Sequence, residues 1–131
     1  MKEYVLDTHA FAWWAQRPKR LGRRARRALS EVDTGNARAF IPAIVGIELT
    51  LLREAGRQLV TVADMEAATK RNAFVGVLAL DLTQAEEFAL LGALADPFDR
   101  MIVSAARATG RPLISADALI ADSGLVDVIW D

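Results

Sequence analysis

Four acidic residues, Asp7, Glu48, Asp99 and Asp117, lie where a predicted strand ends or on the otherwise apolar face of a predicted helix. An ionised carboxylate at such a position is costly unless a cation or a hydrogen-bond donor accompanies it. Carboxylate oxygens are the ligands that Mg²⁺ and Mn²⁺ prefer. Such an ion lowers the pKa of a bound water and stabilises charge on phosphate oxygens. The four residues together predict a divalent-metal pocket that hydrolyses phosphodiesters.

Each of the first two acids also has a purely structural interpretation. Asp7 follows the strand-like stretch 4–6, so its alternative role is to cap the helix that begins near His9. Glu48 has the apolar residues Val45 and Leu52 at helical spacing, and its alternatives are a salt bridge to an arginine or an exposed helix edge. A shared metal pocket explains both positions at once.

The other two acids have local alternatives as well. Asp99 stands three residues after Asp96, so it could hydrogen-bond backward in an acidic version of the capping box. Asp117 follows the predicted strand that ends at Ser115, where it could be a cap or turn residue. Each signal alone is weak, and the convergence of four acids from distant positions on one sheet edge carries the prediction.

The elements that must position these acids alternate between strand and helix. Apolar runs predict five strands, at 4–6, 39–41, 75–80, 112–115 and 126–129. Helical spacing and caps predict helices at 10–15, 21–32, 42–55, 61–72, 83–94 (capped by Thr83) and 97–109, and a short one from 116. Such alternation indicates an α/β fold with a mainly parallel five-stranded sheet and helices on both faces. Functional groups then lie at the carboxyl ends of the strands.

Composition limits the class of protein. The chain has 131 residues, 53% of them hydrophobic, which suits a single domain over residues 1–131 with its own core. It has no cysteine, so disulfides and thiolate ligands are excluded and we expect any metal to be held by oxygen. No apolar run approaches the roughly 18 residues of a membrane span, and no signal peptide is predicted, so we expect a cytoplasmic protein without membrane contact.

The charges are unevenly distributed although the net charge is only −1. Seven of the sixteen Lys and Arg residues lie between Arg17 and Arg27, and nothing after Arg111 is basic. The predicted helix at 21–32 therefore has a cationic outer face. Such a face could attract the RNA backbone or an acidic segment of a partner protein, and a merely solvated surface is the alternative.

Four sequence blocks resemble those of PIN-domain ribonucleases, and more narrowly the VapC-type toxins of bacterial toxin–antitoxin pairs. The blocks are Val5-Leu6-Asp7-Thr8-His9-Ala10, the Glu48 helix, Asp96-Pro97-Phe98-Asp99-Arg100 and Leu113-Ile114-Ser115-Ala116-Asp117, and the likeness spans residues 4–130. The resemblance implies a Mg²⁺- or Mn²⁺-dependent endoribonuclease in which Asp7, Glu48, Asp99 and Asp117 are the catalytic, metal-binding residues. It also implies an RNA substrate, a cognate VapB-type antitoxin and a homodimer.

The chain departs from the family's pattern at two positions beside these acids. Ser115 stands where the family often has Thr, which keeps a hydroxyl two residues before the last acid, and Ile47 precedes Glu48 where related chains often carry Trp. Neither change removes a ligand. Thr8, Ser115 and Arg100 are predicted auxiliary residues. The two hydroxyls could hold metal-bound water or cap helices, and the arginine could orient a carboxylate, meet phosphate or be solvated.

Two aromatic features beside the acids have structural and functional interpretations. His9 is better interpreted as structural or substrate-facing than as a general base. Trp13 and Trp14 fall among apolar residues, so core packing is the default, and a contact with an antitoxin or a second copy is the alternative.

Three other classes compete with this interpretation. A receiver domain also alternates strand and helix and binds Mg²⁺, and Asp81 could mimic its phosphoacceptor, but it needs a late lysine and no lysine follows Lys70. A dinucleotide-binding domain needs a Gly-x-Gly-x-x-Gly motif after the first strand, and none follows Leu6. A non-catalytic PIN-like module that binds RNA or protein is the remaining alternative.

Overall fold

The computed structural model describes residues 1–131, which form five strands and seven α-helices around one sheet. The strands are β1 (Lys2–Leu6), β2 (Ala37–Pro42), β3 (Val75–Leu78), β4 (Leu113–Ile114) and β5 (Val128–Ile129). The helices are α1 (Thr8–Gln16), α2 (Arg23–Asp33), α3 (Ala43–Glu54), α4 (Val62–Arg71), α5 (Leu82–Leu90), α6 (Pro97–Ala108) and α7 (Ala118–Ser123). The predicted α/β class is confirmed.

All five strands are parallel, in the order β3-β2-β1-β4-β5. The chain therefore builds outward from β1 through β2 to β3, then returns to the other side of β1 for β4 and β5. This order places a switch point between β1 and β4, where open α/β sheets bind their ligands. It also differs from the 2-1-3-4-5 order of receiver domains, so that rival class is excluded by topology.

The sheet is covered on both faces. Tyr4, Val5 and Leu6 are consecutive and all buried, and consecutive strand residues point to opposite faces. Helix α2 packs on β2, while α3 and α6 contact each other and the strands β2 and β1 respectively. None of the helices combines the length and the apolar character needed to cross a bilayer.

Several helix boundaries follow from local sequence signals. Asp96 caps α6 and Pro97 is its first residue, as predicted. A capping box joins Thr61 to Asp64 at the start of α4. Gly56 follows α3 with a positive φ of 70°, a conformation in which a side chain would be strained.

The region around α5 corrects three predicted boundaries. The cap is Asp81 and not Thr83, because the Asp81 carboxylate accepts a hydrogen bond of 2.9 Å from the Gln84 amide. Helix α5 ends at Leu90 and not at residue 94. Strand β3 likewise ends at Leu78 rather than at residue 80. An Asp and a Thr two residues apart offer competing caps, and the earlier one is used here.

Candidate functional site

The switch point brings the first and last of the four acids to neighbouring strand ends. In the parallel pairing of β1 with β4, Leu6 lies opposite Ile114. Asp7 and Ser115 are the next residues on the two strands, and the Asp7 amide donates to the Ile114 carbonyl at 3.2 Å. Asp117 follows two residues later at the start of α7. Residues separated by about 110 positions in the sequence thus meet at one sheet edge.

Asp7 is a buried carboxylate with only 8% of its surface exposed. Its Oδ1 accepts a hydrogen bond of 2.8 Å from the Ala10 amide, so the predicted capping role is real. Burial raises the pKa of Asp7 to about 6, while hydrogen bonds from the Ser115 hydroxyl and the Ala10 amide oppose that rise. The cap employs one carboxylate oxygen, and a capping Asp can therefore also serve as a metal ligand through the other.

Glu48 is half-buried on α3 and reaches towards the first turn of α1. The buried Thr8 hydroxyl donates to Glu48 Oε1 at 2.5 Å. Glu48 forms no ion pair with a lysine or arginine, so the salt-bridge alternative is wrong. Thr8 fixes one oxygen of the carboxylate and leaves its charge without a neutralising cation.

Asp99 lies in the first turn of α6, and the backward hydrogen bond of an acidic capping box is absent. The capping oxygen belongs to Asp96, whose Oδ1 accepts from the amides of Phe98 and Asp99 at 2.9 and 3.0 Å. The Asp99 carboxylate itself accepts no hydrogen bond within the protein. The local alternative for Asp99 is therefore not supported.

The pKa of Asp99 shows that the four acids share one region. It is raised to about 7, first by burial and then by the negative charges of Asp96, Asp117, Glu48 and Asp7. Like charges raise a carboxyl pKa only when they lie close enough to repel it. All three other predicted ligands therefore act on Asp99, from three other segments of the chain.

Asp117 caps α7 in the way that Asp7 caps α1. Its Oδ1 accepts from the amides of Leu119 and Ile120 at 2.8 and 3.1 Å. The Ser115 hydroxyl oxygen accepts from the Asp117 amide at 3.1 Å. The Ser115 hydroxyl thus interacts with the Asp7 carboxylate and with the Asp117 amide.

The four acids have the chemistry of ligands for a divalent cation, but their side chains are not arranged around a common point. The four predicted ligands offer only oxygen, repel one another and take part in none of the chain's three ion pairs. Yet no group of three or more His, Cys, Asp or Glu side chains is arranged to hold a metal ion. The residue types and their mutual repulsion fit Mg²⁺ or Mn²⁺, and binding would require the carboxylates to draw together.

The third predicted auxiliary residue is engaged elsewhere. The Arg100 Nε donates to the Phe88 carbonyl at 2.9 Å, and its guanidinium lies 4.0 Å from the centre of the Phe88 ring. These contacts tie α6 to α5. In this arrangement Arg100 positions the helix that carries Asp99.

Sequence reasoning missed a basic residue that lines a cavity together with His9. Arg57, in the loop after α3, joins His9, Trp13, Arg17 and Arg20 in lining a cavity of about 340 Å³. His9 lies close enough to Asp7 for its charge to lower the Asp7 pKa. Gly56 predicted the turn before Arg57, but no local sequence signal predicted that the loop after it would lie next to α1.

Comparisons with known proteins agree with this geometry. A family model described as PIN domain matches residues 4–123. No curated protein matches the chain in sequence. Among solved structures, the chain is similar to one described as VapBC2 from Rickettsia felis bound to a DNA fragment from their promoter, with 13% identity, a TM-score of 0.69, and 98% of this chain and 99% of that chain covered.

Two further structures have the same fold. VapBC-1 from nontypeable Haemophilus influenzae matches with 17% identity and a TM-score of 0.62, covering 96% of each chain. FitAcB from Neisseria gonorrhoeae matches with 16% identity and a TM-score of 0.61, covering 95% of each chain.

Proposed function

Because this chain belongs to the PIN domain family, we propose that it is a Mg²⁺- or Mn²⁺-dependent endoribonuclease, the toxin of a VapBC-type toxin–antitoxin module acting in the cytoplasm. The observation that carries the proposal is the convergence of the acids: Asp7 and Asp117 follow the paired strands β1 and β4, and both of them and Glu48 act on Asp99. Perturbed carboxyl groups that cluster at a sheet's switch point are typical of catalytic sites.

Asp7, Glu48, Asp99 and Asp117 would hold the cation. When bound, the cation supplies positive charge to the phosphate oxygens and makes a water a better nucleophile near neutral pH. Burial and the neighbouring acids raise the pKa of Asp99 to about 7, so we expect cation binding near neutral pH to release a proton from Asp99.

Two hydroxyls orient these carboxylates. Thr8 fixes Glu48 through its 2.5 Å hydrogen bond, and Ser115 contacts both Asp7 and the Asp117 amide. Hydrogen bonds from such supporting residues hold ligands in place and are commonly worth about 10- to 100-fold in metal affinity or activity. Thr8 and Ser115 are therefore proposed as positioning residues.

A VapB-type antitoxin and a second copy of the chain are the proposed protein partners. The similar structures are described as VapBC assemblies, which supports the first. An apolar groove of about 640 Å³ between α3 and α4 supports a protein contact, since Ile47, Leu51 and Val62 are each about half exposed there. Apolar patches of this kind mark protein interfaces.

The proposal is tested by incubating the purified protein with a mixed RNA pool in Mg²⁺, in Mn²⁺ and in EDTA. We expect cleavage only with metal, and a loss of more than about 100-fold in Asp99→Asn, because a ligand should matter more than the residues that orient it. Asp122→Asn is the matched control, since Asp122 is an exposed acid without an ion pair. Equal cleavage by wild type and Asp99→Asn would refute the proposal.

The alternative is a non-catalytic PIN-like module that binds RNA or protein. The observation that favours it is the lack of a preassembled group of metal ligands. Calorimetric titration with Mn²⁺ distinguishes the two. Binding that disappears in Asp99→Asn supports the nuclease, and no binding at millimolar Mn²⁺ supports the module.

A further inference from the structure

A cavity with basic side chains lies along helix α1, the helix that Asp7 caps. Its volume is about 340 Å³, near the lower limit of the roughly 300–1,000 Å³ of ligand pockets. His9, two residues after Asp7, lies at its border with the acids. Arg17, Arg20 and Arg57 bring three positive charges to its lining. We call these residues, with Trp13, the basic pocket.

The cations of the basic pocket have no anionic partner. The chain's three ion pairs involve Lys70, Arg107 and Arg111 only. The side chains of Arg17 and Arg57 donate no hydrogen bond, and the Arg20 guanidinium lies 4.8 Å from the centre of the Trp13 ring. Three exposed guanidinium groups without an anionic partner line one cavity, and a bound phosphate would accept hydrogen bonds from them.

The loop that carries Arg57 is held in place. Gly56 turns the chain with a positive φ, and the Arg57 amide donates to the Leu52 carbonyl at 2.8 Å. The Gln58 side chain then donates to the carbonyls of Leu49 and Val60 at 2.8 and 2.6 Å. A binding group on a fixed backbone costs less entropy to use than one on a free loop.

The aromatic side of the pocket is formed by the rings of His9 and Trp13. The rings of His9 and Trp13 have centroids 5.7 Å apart, and the centroid of Trp130 lies 5.7 Å beyond Trp13. His9 is exposed and Trp13 is half-buried. Aromatic rings next to arginines are the combination with which proteins bind single-stranded nucleic acid.

We propose that the basic pocket is a subsite for one nucleotide of single-stranded RNA next to the phosphodiester that is cleaved. Arg17, Arg20 and Arg57 hold its phosphate, and His9 and Trp13 stack on its base. An acidic peptide would match the charge but would leave the aromatic surface unused. A duplex keeps its bases stacked inside, so the pocket selects an unpaired nucleotide. The assignment rests on the proposed nuclease function.

The test measures binding without cleavage, so that it does not depend on the metal site. Fluorescence anisotropy in EDTA follows a labelled 12-nucleotide single-stranded RNA as salt is varied. We expect Arg17→Gln/Arg57→Gln to weaken binding and to reduce the salt slope by about 1.4, since each contact to a single strand contributes about 0.7. Arg71→Gln is the control, an exposed arginine of α4 outside the pocket.

The stacking residues are tested in the same assay. We expect Trp13→Leu to raise Kd about 5- to 100-fold, as loss of a stacking ring does. His9→Ala should raise the Kd less. Because His9 is exposed, this variant should fold normally and provides the test if Trp13→Leu does not fold. Wild type should bind the single strand in preference to a duplex of equal length.

Three results would overturn the subsite. In the first, Arg71→Gln weakens binding as much as the pocket variants. In the second, His9→Ala and a folded Trp13→Leu both bind like wild type. In the third, polyglutamate of equal charge displaces the RNA as well as unlabelled RNA does. Normal binding by a protein that cleaves nothing would instead refute the nuclease and leave the nucleotide site standing.

Discussion

Asp99 is the carboxyl group of the acidic cluster whose pKa is raised furthest. Its pKa in the folded protein is about 7, against 3.8 for an isolated aspartate. The folded state therefore binds more protons than the unfolded state between these two values. By linkage, the contribution of Asp99 to stability falls as the pH rises from about 4 to about 7, which is opposite to the usual behaviour of a salt-bridged carboxylate.

Replacing Asp99 by asparagine should stabilise the metal-free protein above pH 7. Removing the repelled charge is expected to raise the free energy of unfolding on the order of 1–2 kcal/mol at pH 8, with the full shift discounted because Asp99 is partly exposed. The gain should shrink towards pH 4, where the wild-type carboxyl is protonated in both states. Urea denaturation in EDTA at several pH values measures it. A stability difference that does not change with pH would contradict the explanation.

Ser115 shows how a departure from a family pattern can preserve a role. The family often has threonine at this position, and serine keeps the hydroxyl that contacts Asp7 and accepts from the Asp117 amide. Both hydroxyls beside the acids, Thr8 and Ser115, are buried and hydrogen-bonded to neighbouring residues. Their predicted role at the site is compatible with these contacts, and it stays a prediction until variants are assayed.

At the scale of elements, most starts and ends of helices followed from local chemistry. The capping Asp and proline before α6 and the glycine after α3 are signals that need no knowledge of the fold. The predicted start of α5 was wrong because Asp81 and Thr83 are both good caps, and only tertiary packing determines which of them is used. Helix ends are similarly ambiguous where no glycine or proline follows at once.

Helix α2, which carries much of the basic segment, is attached to the end of the chain. The Trp130 carbonyl accepts from the Ala25 amide at 3.0 Å, and the Asp131 carboxylate accepts from the Arg23 amide at 3.2 Å. Gly22 directly precedes Arg23, and a Cβ atom there would come within 2.5 Å of the Trp130 carbonyl oxygen. The chain's last residues thus set the position of α2.

Gly22→Ala should therefore destabilise the protein by about 1–3 kcal/mol, the usual cost of forcing an extra methyl group into a packed region. The strain arises because the obstacle is backbone, which cannot rotate away. Thermal denaturation measures the loss. Gly92→Ala is the matched control, because a Cβ there meets nothing within 4 Å. Equal melting temperatures for the two variants would show that the contact is easily relaxed.

At the scale of the whole molecule, the order of strands decides which acids meet. The sequence predicted that parallel strands would gather Asp7 and Asp117 at their carboxyl ends, and the β1–β4 pairing does so. Glu48 and Asp99 lie on helices, so the rule that parallel strands bring their carboxyl ends together could not predict their positions. They approach because α3 and α6 pack against each other over the same sheet edge. That packing depends on the strand order, which local patterns do not determine.

Metal binding should offset the repulsion among the four carboxylates and thereby stabilise the folded protein. A cation that binds only the folded state adds about 1.4 kcal/mol at ten times its Kd, which corresponds to roughly 4–8 °C in Tm for a domain of this size. We expect Mn²⁺ to raise the Tm of wild type and to leave that of Asp99→Asn nearly unchanged. The rise should be larger at pH 8 than at pH 6, because at pH 6 the cation must displace the Asp99 proton. Differential scanning fluorimetry at the two pH values measures this. An equal rise in both proteins would place the metal away from the four acids.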